Sequence, residues 1–315
     1  MRVFVAGASG AIGSRLVPQL IERGHEVIGS YRSPGNGDRV KALGAEPVAL
    51  DLLDAGAVRA AVAAAEPDAI IHQATALADV SFSRNLDHSF ASTNRLRTAG
   101  TDALLAAARA AGVRRFVAQS FASARYARVG GPVKTEDDPL DPAPLPTTRE
   151  TNAAMRYLDQ AVTDAGGIAL RYGGFYGTSD DALLEPVRKR QFPIVADGGG
   201  VSSFVQLDDA AAGTVVALEH GGTGVYNIVD DDPAPVREWL PLLADVLGAK
   251  PPRHVPRWLA RLVAGEAAVM LGTESRGASN AKAKRELGWV PRHPSWRQGF
   301  AVAYRSSREG QVTAR

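Results

Sequence analysis

The chain has 315 residues, enough for one large domain or a domain with a smaller companion, and its 45% hydrophobic content is that of an ordinary packed core. Cysteine is absent, which excludes disulfides and thiolate chemistry, and 36 basic against 34 acidic residues leave a formal charge of +2 with no basic patch for nucleic acid or an anionic membrane. No signal segment is legible, and the most apolar late stretch, 258–271, is short and carries Arg261 and Glu266, so a cytoplasmic protein with no membrane partner is expected. That stretch reads as a buried or pocket-lining helix.

The chain opens on a β-branched and aromatic run that breaks at Gly7-Ala8-Ser9-Gly10-Ala11-Ile12-Gly13 into an apolar pattern of helical period. This is strand, tight turn, helix. Glycines there let the backbone approach a pyrophosphate, which meets the N–H groups and positive end of the following helix. Gly7, Ser9, Gly10, Ala11, Ile12 and Gly13 are therefore candidate dinucleotide contacts, although the spacing is one residue longer than G-x-G-x-x-G. Strands are predicted at 26–30, 46–50, 69–72 and 115–119, alternating with helices at 38–43, 55–65 and 94–111. Short apolar strands between such helices predict an α/β fold: a doubly wound parallel sheet covered on both faces.

Between Arg125 and Pro146, Gly130, Gly131, Pro132, Pro139, Pro142, Pro144 and Pro146 predict a long loop over the carboxyl ends of the strands, a candidate lid. A helix at 151–163 and strands at 168–172, 204–208 and 225–229 follow. From Pro233 the pattern is helical and proline-punctuated, and all four tryptophans, Trp239, Trp258, Trp289 and Trp296, lie in this last third. The expected division is a nucleotide domain of residues 1–183 with 200–232 and a smaller substrate domain of 184–199 with 233–315.

At the end of the second strand an NAD site places an acidic residue against the ribose hydroxyls. This chain offers Gly29-Ser30-Tyr31-Arg32-Ser33, with no acid before Asp38. Arg32 can bind a 2′-phosphate through charge-assisted hydrogen bonds, with Ser30 or Ser33 as additional donors and Tyr31 beside it, so NADP (NADPH) is expected over NAD.

Gly7-x-x-Gly10-x-x-Gly13, Asp51-Leu52, Ile70-Ile-His-Gln-Ala74, Gly112-Val-Arg-Arg-Phe-Val117, Leu170-Arg-Tyr-Gly-Gly-Phe-Tyr-Gly177, Phe204-Val-Gln-Leu-Asp-Asp209, Val225-Tyr-Asn227 and Glu286-Leu-Gly-Trp289 occur in order. Together they resemble the extended short-chain dehydrogenase/reductase superfamily, and within it the NAD-dependent epimerase/dehydratase branch. The resemblance implies a Rossmann fold, Asp51 accepting from the adenine amine with Leu52 on its ring, and Gln73, Ala74, Thr75, Ser120 and Tyr172 among the cofactor contacts. It also implies that His72 packs beside the cofactor and that Asp208-Asp209 cap a helix.

Members of this superfamily usually carry a Tyr-x-x-x-Lys pair, which by the same resemblance falls at Thr147 and Thr151. Arg97 stands where the family often has Asn, with Asn94 one turn earlier, and the apolar Phe121 follows Ser120. A threonine has neither an accessible pKa nor a positive charge. The remaining candidates for proton transfer are Tyr126, Ser120, Tyr172 and Tyr176. Three readings stay open: an atypical NADP-dependent oxidoreductase acting on a small, apolar carbonyl or related molecule; a non-catalytic NADP-binding sensor; and an epimerase or lyase using bound NAD(P) transiently. The histidines lack ligand spacing, so no metal is expected. A small-molecule substrate, an apolar pocket of Trp239, Trp258, Leu262 and Met270, a solvated Lys134 and a homodimer complete the expectations.

Overall fold

A computed structural model describes residues 1–77, 84–177 and 183–312, with the side chains of 305–312 left aside. Its centre is a seven-stranded, all-parallel sheet: β1 (Arg2–Ala6), β2 (Glu26–Tyr31), β3 (Glu46–Ala49), β4 (Ala69–His72), β5 (Arg115–Phe121), β6 (Ile168–Tyr172) and β7 (Gly224–Ile228), in the spatial order 7-6-5-4-1-2-3. Side chains alternate across each strand, so β1 buries Val3 and Val5 with Leu16, Val17 and Leu20 of helix α1 (Gly13–Glu22) on one face. Phe4 and Ala6 meet Val58 and Val62 of α3 (Ala55–Ala65) on the other. Helix α2 (Asn36–Ala42) lies between β2 and β3. Burial on both faces is why these strands read as continuous apolar runs.

The chain reverses direction across the sheet between β1 and β4, where ligands bind in doubly wound sheets. The expected helix at 94–111 is three pieces: Ala91–Arg95, a π-turn Leu96–Gly100 and α4 (Thr101–Ala110). The Leu96 carbonyl accepts from His72 Nε2 at 3.3 Å, which draws it out of the regular α-helical ladder.

The stretch 125–146 is tethered rather than free. Val133–Lys134 pairs with Gly277–Ala278, Tyr126 bridges to Leu140, and Lys134 is buried, its Nζ donating to Val129 O at 2.7 Å and Asp138 Oδ1 at 3.1 Å. The expectation of a solvated Lys134 is corrected: it braces the loop.

Helix α5 (Arg149–Asp164) then leads into β6, and Phe204–Gln206 pairs with Gly174–Tyr176 outside the main sheet before α6 (Leu207–His220) begins. Gln206, not the Asp pair, caps α6 through its side-chain oxygen. Asp209 is buried and instead accepts from the N–H groups of Arg292 and His293. A third apolar cluster joins Leu184, Val187 and Ile194 to Trp239 and Leu243 of α7 (Val236–Val246) and to Trp296 and Phe300 of α10 (Trp296–Val312).

The stretch 258–271 is not one buried helix. Gly265, at φ +89°, divides it into α8 (Arg257–Ala264) and α9 (Glu266–Thr273). Trp258 and Leu262 are 66% and 65% exposed, whereas Met270 is buried and Trp239 packs edge-on against Phe204, so the four do not line a common pocket. Among the described residues no helix is long and apolar enough to cross a membrane.

Candidate active site

The glycine turn follows β1 and abuts the end of β4. Gly7 has φ +89°, and a Cβ there would lie 2.8 Å from the backbone of Ala74; a Cβ on Gly13 would lie 2.5 Å from Ala8 O. These two glycines are required by backbone packing before any ligand is considered. Gly10 differs, because a Cβ there meets only Gly7 O, at 3.3 Å. Helix α1 has no side-chain N-cap and no acidic residue in its first turn, and among the described residues no backbone acceptor engages the N–H of Ala11 or Ile12. Its positive end is free for an anion.

Beside this turn, Ser30 Oγ accepts from Gly7 N at 3.3 Å. Arg32 and Ser33 are exposed just beyond β2, Tyr31 is half-buried, and Arg32 makes no ion pair among the described residues. Asp51 is exposed and accepts from Leu53 N, and Asp54 is the residue that caps α3. Leu52 is buried between α3 and the π-turn side of the sheet. At the end of β4, Ala74 and Thr75 are half-buried, while Gln73 is buried with its Nε2 donating to Tyr172 Oη at 3.1 Å.

The carboxyl ends of β5 and β6 hold a buried polar network that the sequence reading did not anticipate. Asp159 Oδ2 on α5 accepts from Arg125 Nη2 at 2.6 Å and Arg171 Nε at 2.8 Å. Arg125 Nη1 donates to Ser120 Oγ at 3.0 Å, Arg171 Nη1 to Tyr126 Oη at 3.3 Å, and Tyr126 Oη to Asn227 Oδ1 at 3.0 Å. Burial lowers the Arg125 pKa, and Asp159 acts against that. The signal was present in Leu170-Arg171, an arginine at an inward-facing strand position, which needs a buried carboxylate.

This network changes the standing of the proposed proton donors. Ser120 and Tyr126 are 1% and 3% exposed and committed to arginines. Tyr172 is fully buried, its Oη shared between Gln73 and Thr214 (2.6 Å), and burial pushes its pKa up to about 12. Tyr176 is buried with no hydrogen-bond partner for its hydroxyl among the described residues, and burial, with Asp230 and Asp209 nearby, raises its pKa. All four hydroxyl-bearing residues are buried in this structure.

Thr147, in the 3-10 turn Pro146–Thr148 that precedes α5, is half-buried, and Thr151 on α5 is buried. Thr151 Oγ1 accepts from Asn94 Nδ2 at 3.0 Å, and its N–H donates to Asp87 Oδ1 at 2.8 Å. Asn94 Oδ1 in turn accepts from Arg97 Nη1 at 3.4 Å. His72 is buried and its imidazole is held at a pKa of about 4, chiefly by desolvation, so it is neutral. Among the described residues no group of His, Asp and Glu is arranged to hold a metal.

The family model for the "NAD dependent epimerase/dehydratase family" matches residues 3–229, from β1 to the end of β7. The chain belongs to this family. It is 44% identical over 308 residues to a "3-diazoavenalumate denitrifying reductase" of a Streptomyces species, covering 95% of this chain and 99% of the relative. It is 28% identical, over 99% of its length and 98% of the relative's, to a "4-hydroxy-2-methyl-3-oxo-4-farnesyl-3,4-dihydroquinoline-1-oxide ketoreductase" of Stigmatella aurantiaca. Its fold matches that of a UDP-glucose 4-epimerase of Thermotoga maritima at a TM-score of 0.78 and 21% identity, over 99% of this chain and 100% of that one. The chain is thus an NAD(P)-dependent enzyme of oxidoreductase type.

Proposed function

We propose that this enzyme is an NADPH-dependent reductase whose hydride acceptor is a diazo compound, taken as its diazonium form, with release of dinitrogen. The open backbone at Gly10, the uncapped end of α1 and the exposed Arg32 fit a dinucleotide with a 2′-phosphate. Ala11 and Ile12 would hold its pyrophosphate, Arg32 and Ser33 its 2′-phosphate, and Ala74 and Thr75 would flank it at the end of β4. When bound, the cofactor supplies a hydride.

The observation that carries the acceptor class is the absence of an accessible tyrosine hydroxyl at the carboxyl ends of β4, β5 and β6 among the described residues, together with threonines at 147 and 151. Reduction of a ketone leaves an alkoxide that must be protonated, and an enzyme supplies that proton from a positioned donor. A diazonium ion R–N≡N⁺ needs none. Two electrons and a hydrogen arrive as hydride on the terminal nitrogen to give R–N=N–H. The C–N bond then breaks, the hydrogen passes to carbon, and R–H and N₂ are released. The name of the 44% identical relative supports the same class.

The test is NADPH oxidation with 4-carboxybenzenediazonium as probe, with headspace mass spectrometry for nitrogen, beside a panel of ketones and enones. The expected result is one N₂ per NADPH above the enzyme-free rate, with Tyr126→Phe, Tyr172→Phe and Tyr176→Phe each within about threefold of the parent. Turnover of a ketone that disappears in one of these variants overturns the reading.

A further inference from the structure

Among the described residues Arg97 makes no ion pair. It lies in the π-turn that contacts His72 at the end of β4 and is only 7% exposed, yet its one hydrogen bond among the described residues is the 3.4 Å contact to Asn94 Oδ1. The carboxylates of Asp159 and Asp87 are engaged elsewhere. Asp159 accepts from Arg125 and Arg171, and Asp87 accepts from the N–H groups of Glu150 and Thr151 at 3.0 and 2.8 Å, which caps the start of α5. Asn94 is fixed by its donation to Thr151, so its oxygen stays turned toward the guanidinium. Among the described residues Asp159 is thus shared by Arg125 and Arg171, Glu136 interacts with Arg171, and no carboxylate bonds Arg97. Isolation of this kind is costly, since desolvating a charge without a partner is not recovered within the protein. The strain is visible in Arg97 itself, whose pKa is lowered to about 10 by burial first and by Arg125 second.

We propose that Arg97 is the receptor for an oxyanion of the substrate, a carboxylate held at the end of the cleft between β4, the π-turn and the start of α5. A guanidinium presents a planar fork of donors that matches a carboxylate, and here most of those donors are left for the ligand. The position is one turn from Asn94, whose side chain donates to Thr151, and, through Leu96 and His72, it is next to the Gln73-Ala74 backbone that abuts the glycine turn. A substrate anchored there is beside the dinucleotide. The inference rests on the proposed reductase reading for the identity of the ligand as substrate, but not on the diazonium chemistry.

The experiment uses the NADPH-saturated protein and two unreactive probes of one shape, trans-cinnamate and its uncharged amide, titrated by calorimetry. Cinnamate is expected to bind at least about tenfold tighter than the amide. Arg97→Met should level the two, with Arg97→Lys intermediate, and NADPH affinity should move by less than about twofold. In addition, the ligand-free Arg97→Met protein is expected to melt at a higher temperature than the parent, because an unpartnered buried charge has been removed. Equal binding of the two probes by the parent overturns the proposal. So does a large loss of NADPH affinity in Arg97→Met, which would assign the guanidinium to a cofactor phosphate. A lowered melting temperature or failure to fold in Arg97→Met, with Arg97→Lys unaffected, would make it a structural brace and overturn the proposal equally. Neither probe contains a diazo group, so failure of the diazonium chemistry leaves these outcomes readable.

Discussion

Replacing Asp159 by Asn removes the carboxylate that bonds both Arg125 and Arg171 while keeping the shape of the side chain. The side chains of the three residues are 1–7% exposed, and one oxygen accepts from both arginines at 2.6 and 2.8 Å. Breaking a buried pair by deleting one partner costs about 3–5 kcal/mol, because the charge left behind stays desolvated. At an unfolding entropy of about 2.1 cal/mol/K per residue, a chain of this size has a total of about 0.66 kcal/mol/K, so the midpoint should fall by about 5–8 °C. Thermal unfolding by circular dichroism measures it. The internal control is Asp208→Asn, whose pair with Arg15 is 3.6 Å long with both side chains more than 40% exposed; it should move the midpoint by less than about 2 °C. If Asp159→Asn shifts the midpoint no more than Asp208→Asn does, the two guanidiniums are not isolated in the way the geometry implies.

Arg32→Ala should abolish a preference for NADPH over NADH of about 10- to 150-fold, equivalent to about 1.5–3 kcal/mol for one charge-assisted contact, and equal calorimetric affinities in the parent would refute the 2′-phosphate assignment. Gly10→Val should cut cofactor affinity by at least about tenfold with a midpoint within about 3 °C of the parent, whereas Gly13→Val should lower the midpoint by more than about 5 °C, since its side chain meets the Ala8 carbonyl. An unchanged affinity in folded Gly10→Val would make the turn purely structural. His72 has a folded pKa of about 4, below that of an unfolded imidazole, so its contribution to stability is complete above about pH 6.5 and is lost as the pH falls toward 4, by about 3 kcal/mol. His72→Gln should flatten that part of a urea-unfolding profile taken against pH, and an unaltered slope would count against the burial.

The sheet was legible because burial on both faces writes each strand as an apolar run and each glycine turn as a break, and both signals are local. The interior of the carboxyl end was not. Arg125, Asp159 and Arg171 lie up to 46 positions apart in the chain and meet only because β5, α5 and β6 are neighbours in space, so no spacing rule pairs them. Tyr126, Tyr172 and Tyr176 carry the right chemistry for proton donors in a string of letters, but strand alternation turns Tyr172 into the α1–α6 face and the network claims Tyr126. The 94–111 helix failed for a different reason: its π-turn depends on the Leu96 carbonyl being drawn to His72, a partner 24 residues away. Trp258 and Leu262 look like core residues until Gly265 divides the helix and leaves them at the surface.

These features bear on one another through charge. A ketone begins neutral and becomes an anion as hydride arrives, so its reduction needs a proton or a set of donors at the new oxygen. A diazonium begins as a cation and becomes neutral. On the proposed reading, a fixed guanidinium such as Arg97 near the acceptor disfavours the cationic ground state more than the neutralised product, which promotes hydride acceptance. The carboxylate bound to that same guanidinium keeps the substrate in place despite the repulsion. On that reading, a cleft with no accessible tyrosine hydroxyl and one cation without an ion pair among the described residues suits a diazonium better than a ketone. Arg97→Met should therefore lower kcat for 4-carboxybenzenediazonium as well as raise KM. A substitution that raised KM alone would leave the guanidinium an anchor with no part in promoting the transfer.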